Sequence, residues 1–99
     1  MTMSRELPFC VYVLKSLSDG LLYTGFTTDL SRRLAEHESG QSPATAPRRP
    51  FMLIFCEHYR SKKDAIRREQ YFKTSKGKRA LQLMLQDTMD NTDAGQSDE

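Results

Sequence analysis

The stretch FCVYVLKSLSDGLLYTGF, Phe9–Phe26, decides the fold. Its first part, Phe9–Ser16, is rich in β-branched and aromatic side chains and predicts a strand. Ser18–Gly20 reads as a tight turn, and Leu21–Phe26 returns as a second strand. Strands joined so closely pair antiparallel. With a loop of even length, the residue opposite Tyr23 carries an even number. Side chains alternate along a strand, so Tyr12 and Tyr23 are expected on one face of the hairpin.

Outward from the hairpin, Thr27–Gly40 reads TTDLSRRLAEHESG. Thr28 or Asp29 can cap a helix there and Gly40 can end it. The apolar stripe is Leu30 and Leu34, with Ala35 beside it. Arg33 and His37 fall in that stripe, while Arg32 and Glu36 form an exposed pair four residues apart. An arginine on the inner side of a small helix is costly unless something anionic meets it. Gln41–Pro50 has three prolines and predicts a mobile surface loop carrying Arg48 and Arg49. Phe51–Tyr59 reads FMLIFCEHY, nearly continuously apolar, and predicts a third, buried strand. Ser61 caps a helix through Thr74 whose inner stripe is Ala65, Ile66 and Phe72, with Glu69 among them. Ser75–Gln86 predicts a last short helix whose Leu81, Met84 and Leu85 close the core.

The expected architecture is α+β: a small, mainly antiparallel three-stranded sheet flanked by helices, in the order β-β-α-β-α-α. A chain of 99 residues suits one domain, residues 1–86, followed by an acidic tail, residues 87–99, expected to be disordered. No apolar run approaches the roughly 18 residues that span a membrane. The start lacks the apolar stretch of a signal peptide, and the expected location is cytoplasmic. Cys10 and Cys56 lie in predicted strands at no zinc-like spacing and are expected to be buried free thiols; His58 is given no role. Residues 1–86 hold 15 basic and 8 acidic side chains, a net +7 that the acidic tail masks. A basic body suits a polyanionic partner.

The tripeptides CVY (Cys10–Tyr12) and YTG (Tyr23–Gly25), the arginine of SRRLAEH (Arg33) and the glutamate of RREQYF (Glu69) together resemble the GIY-YIG nuclease family. The likeness covers about Phe9 to Leu85 and is nearest to the small stand-alone bacterial branch. It implies metal-dependent hydrolysis of DNA phosphodiesters by an endonuclease or nickase, with DNA repair or recombination as the setting. It also implies roles. Tyr12 would be a general base or water-orienting group, and Tyr23 would position water or phosphate. Arg33 would bind the scissile phosphate, His37 would assist proton movement or touch phosphate, and Glu69 would hold Mg²⁺ or Mn²⁺. Arg48, Arg49, Lys62, Lys63, Arg67 and Lys76 are the candidate contacts to DNA. Gly25 is expected to permit a close backbone approach beside Tyr23. Cys10 stands where the family motif begins with glycine, and Phe26 where some relatives carry a lysine. The asparagine common in the family has no counterpart before Asn91. The alternative is a non-catalytic nucleic-acid-binding module of the same fold, with a protein partner or a homodimer left open.

Overall fold

A computed structural model describes residues 3–93. β1 (Phe9–Ser16) and β2 (Leu22–Thr27) form the expected hairpin, and β3 (Phe51–Tyr59) pairs antiparallel on the other side of β1, giving the order β2-β1-β3. α1 (Leu30–Ser39) follows the hairpin. α2 (Lys62–Phe72), α3 (Ser75–Met84) and α4 (Gln86–Asp93) follow β3. The fold is the expected α+β arrangement with one additional helix.

β1 is the centre of the molecule, and its alternation builds two different layers. Val11 and Val13 are fully buried with Ala65 and Phe72 of α2 and Leu81 of α3. Cys10, Tyr12 and Leu14 are buried on the other face with Tyr23, Leu30, Leu34 and Phe51. α1 thus covers the even-numbered face and α2 the odd-numbered one. In the hairpin, Leu14 lies opposite Tyr23 and Tyr12 opposite Gly25, so the two tyrosines share a face as parity predicts. Asp29 caps α1 by accepting from the Arg32 N–H, and Gly40 ends it in the left-handed conformation, φ 84°. The Ser61 side chain caps α2.

Five expectations are corrected. β3 is a half-buried edge strand, not a buried one. Its apolar run is two alternating segments out of phase. Val13 pairs with Phe55 but Leu14 pairs with Leu53, so a bulge at Ile54 shifts the alternation by one. Below the bulge Phe51 joins the even face, and above it Phe55 and Tyr59 join the odd face. The Gln41–Pro50 loop is internally bonded. Ser42 and Thr45 are buried, and Ala46–Arg48 forms a 3₁₀ turn. Met84 is exposed, leaving Leu81 and Leu85 to close the core. Cys56 is exposed, and of the two thiols only Cys10 is buried. Finally, the segment from Asp87 to Asp93 is helical. Met89 is buried, and the Lys15 ammonium donates to the Thr92 hydroxyl at 3.1 Å, tying α4 to β1. The rest of the expected disordered tail, residues 94–99, lies outside the described residues.

Candidate active site

The site grows from the even face of the hairpin. Tyr12 sits on the central strand at 1% exposure, and its ring lies over the backbone of Gly25. Any side chain at position 25 would overlap the phenol, so the glycine makes room for Tyr12. The Tyr23 ring stands 6.4 Å from that of Tyr12, centroid to centroid. α1 lays His37 edge-on against both rings, at 5.7 Å from Tyr12 and 5.3 Å from Tyr23. His37 is 2% exposed and both ring nitrogens are bonded. Nε2 lies 2.8 Å from the Tyr12 hydroxyl oxygen, and Nδ1 lies 2.7 Å from the Thr45 hydroxyl oxygen. Thr45 also donates to the Ser42 carbonyl, at 3.5 Å. That donation leaves the threonine oxygen to accept from Nδ1–H, and leaves Nε2 to accept the Tyr12 proton.

Electrostatics set the charge states. Burial is the largest effect on Tyr12, with Tyr23 adding to it and Arg33 opposing it. The phenol is pushed up to about 12. Arg33 is therefore near enough to lower the phenol, but burial wins. His37 is held below its ordinary value, first by burial and then by the Arg33 charge, against a smaller pull from Glu36. The resting site is a neutral phenol bonded to a neutral imidazole. Arg33 donates to the Glu36 carboxylate at 2.8 Å and to the Ser42 hydroxyl at 3.3 Å. The anion that its inner position demanded is thus Glu36, one turn on. Arg32 is the more exposed neighbour, 3.9 Å from the same carboxylate.

Tyr12, Tyr23, Arg33 and His37 are thus brought together. Glu69 is placed differently. α2 covers the odd face, and the Glu69 carboxylate, 16% exposed, pairs with Lys73 at 2.6 Å. Among the described residues no hydrogen bond or ion pair joins it to the tyrosines, Arg33 or His37. The candidate DNA contacts are dispersed. Arg48 pairs with Asp19 at 2.7 Å and stacks over Phe51, and Arg49 donates to the Ala46 and Glu38 carbonyls. Arg67 pairs with Asp64, while Lys62, Lys63 and Lys76 are exposed. Arg68 is taken up by Glu57 and the Phe72 ring. Thr45 and Ser42 are site residues that sequence reading passes over. A helix-facing histidine signals that its second nitrogen needs a partner, but a proline-rich loop does not say which residue supplies it.

The chain is similar over most of its length to known proteins. The family model described as the GIY-YIG catalytic domain matches residues 8–82. A UPF0213 protein of Streptococcus agalactiae is 45% identical over 69 residues, covering 69% of this chain and 77% of the relative. A UPF0213 protein of Staphylococcus aureus is 40% identical over 75 residues, covering 75% of this chain and 90% of the relative. The solution NMR structure of a UPF0213 protein from Bacillus halodurans superimposes with a TM-score of 0.54 at 33% identity, over 90% of this chain and 98% of that one. With residues 8–82 matched, the chain belongs to the GIY-YIG catalytic domain family, a nuclease family, and is related to its small UPF0213 proteins.

Proposed function

We propose that the protein is a metal-dependent endonuclease or nickase that hydrolyses DNA phosphodiester bonds in the setting of repair or recombination. The observation that carries this reading is the Tyr12–His37 hydrogen bond, 2.8 Å long, beside Tyr23 and Arg33. A phenol near pKa 12 cannot serve as a standing base, because its phenolate at pH 7 costs about 7 kcal/mol. The relay avoids that cost. As water attacks phosphorus, its proton passes to the Tyr12 oxygen while the Tyr12 proton passes to His37 Nε2. No free phenolate forms, and the charge that develops rests on the imidazolium. The Thr45 oxygen accepts from its other nitrogen, and the Glu36 charge favours the cation. Tyr23 orients water or phosphate. Arg33 turns its planar fork from Glu36 to the phosphate oxygens, where charge builds.

Glu69 is the proposed ligand of Mg²⁺ or Mn²⁺. The residues fit such an ion. The carboxylate is largely shielded and already holds one cation, Lys73, whose own side chain is 55% exposed. One carboxylate suffices for an ion that keeps most of its waters. An ion held there would supply charge stabilisation only to a phosphate that reaches α2 as well as the tyrosine face. Lys62, Lys63 and Lys76 contribute the electrostatic attraction to backbone phosphates.

The test is a panel of single-stranded, nicked, flapped, branched and duplex DNA with Mg²⁺ or Mn²⁺, using wild type, Tyr12→Phe and Glu69→Ala. Cleavage by wild type alone is expected. Equal cleavage by all three assigns the activity to a contaminant. Salt-sensitive binding by all three without cleavage establishes the alternative, a non-catalytic binding module, which rests on the +7 body and on the missing asparagine and lysine.

A further inference from the structure

The β1–β3 pairing gathers three side chains that the nuclease reading leaves unused. Cys10 lies opposite His58 and Tyr12 opposite Cys56. By alternation Cys10, Cys56 and His58 project from one face, the face of Tyr12. Their ligating atoms, two sulfurs and one imidazole nitrogen, all lie within 4.8 Å of one another. Cys10 is buried while Cys56 and His58 are exposed, so the cluster has a closed floor and an open mouth. We propose that Cys10, Cys56 and His58 form a binding site for one thiophilic divalent cation, Zn²⁺ first among them, with the fourth tetrahedral position open to solvent.

The donor set selects the ion. Two thiolates and an imidazole are borderline-soft ligands that suit Zn²⁺ and reject Mg²⁺, so this site does not compete for the ion assigned to Glu69. Zinc bonds of about 2.3 Å to sulfur and about 2.0 Å to nitrogen place tetrahedral ligand atoms roughly 3.3–3.8 Å apart. Small side-chain rotations close the cluster to those separations. A disulfide is the competing fate of two neighbouring cysteines, and the register opposes it. Cys10 and Cys56 are diagonal, not directly opposed. Diagonal strand neighbours stand about 7–8 Å apart, beyond the roughly 4.4–6.8 Å between Cα atoms that a disulfide spans. A bridging ion fits that spacing and a covalent bond does not. Burial, with smaller effects from Cys56, pushes the Cys10 thiol up to about 11, which keeps it protonated in the absence of an ion. On binding, both S–H protons leave to solvent as the two thiolates ligate. The ion then clips β1 to β3 beside Tyr12.

The full-length chain titrated with Co²⁺, as a coloured stand-in, and then with Zn²⁺ tests this without reference to nuclease activity. The expected result is one equivalent of Co²⁺ giving near-ultraviolet thiolate-to-cobalt charge-transfer absorption, bleached by one equivalent of Zn²⁺. Zn²⁺ at about a hundredfold above its Kd should also raise Tm by roughly 10 °C or more. Cys56→Ser and His58→Ala change exposed residues and should leave the fold intact. Each should weaken Zn²⁺ by roughly tenfold or more, as losses outside the ligand set already do that much. Absence of the charge-transfer band in folded protein overturns the proposal. So does Zn²⁺ affinity unchanged in Cys56→Ser, or ready closure of a Cys10–Cys56 disulfide in air.

Discussion

The two faces of β1 are made by one strand and do different work. On the odd face, Val11 and Val13 meet Ala65, Phe72 and Leu81 in an apolar centre, with the hydrogen-bonded side chains of Tyr59, Glu57 and Arg68 beside it. On the even face, Tyr12 is as deeply buried as its odd neighbours, yet its hydroxyl is bonded to His37 and through it to Thr45. Burial on the first face supplies stability. On the second it sets charge states, raising the phenol and lowering the imidazole. The difference teaches that a strand central to the fold can carry reactive groups, provided the opposite face anchors it.

The largest stability effect is expected on the odd face. Phe72 is fully buried against Phe55, and Phe72→Ala should cost about 3–5 kcal/mol in urea unfolding while sparing the specific activity of the remaining folded fraction. A loss under about 1 kcal/mol would mean that this layer is not the anchor. Tyr12→Phe reverses the ranking. It removes one hydroxyl and leaves His37 Nε2 without its donor, a cost of about 1–3 kcal/mol in stability. Cleavage, however, should fall by roughly a hundredfold to ten-thousandfold. If the folded Tyr12→Phe variant cleaves at the wild-type rate, Tyr12 is only a packing residue and the two faces are equivalent.

Much of this contrast was readable in the sequence. The hairpin turn fixes the parity of Tyr12 and Tyr23, and helical period puts Arg33 and His37 on the inner side of α1. What was not readable depends on events that leave no local mark. The bulge at Ile54 disguises two alternating segments as one apolar run, hiding both the edge position of β3 and the meeting of Cys10 with Cys56 and His58. The α4 helix is polar except for Met89, whose burial depends on a tertiary contact. Thr45 reaches His37 from a loop whose prolines suggested motion. Glu69 was visible as a charge in an apolar stripe, but helical period alone does not say which sheet face that stripe covers.

The smallest effect is also the most specific to the even face. His37 is neutral and its folded-state pKa lies below the ordinary value of 6.5, chiefly through burial. Between those two values the unfolded chain binds more protons than the folded one, so stability rises with pH through that window. Above about 6.5 the imidazole is neutral in both states and this contribution is complete; it is lost as pH falls toward the folded-state value. The groups facing His37 act in opposite senses, Arg33 deepening the depression and Glu36 relieving part of it. The slope cannot exceed about 1.4 kcal/mol per pH unit for one proton. Asp19, held down to about 2 mainly by Arg48, titrates below this window and does not confuse it. Urea unfolding of wild type and His37→Gln from pH 5 to pH 8 reads the difference directly. The expected result is a positive slope below about pH 6.5 in wild type that is absent from the variant. An identical slope in both proteins would place the proton elsewhere and leave Tyr12 without an acceptor. Cleavage should follow the same acid limb and then stay level through alkaline pH, because Tyr12 remains protonated up to about 12. A standing phenolate base would instead make the rate climb roughly tenfold per pH unit over that range.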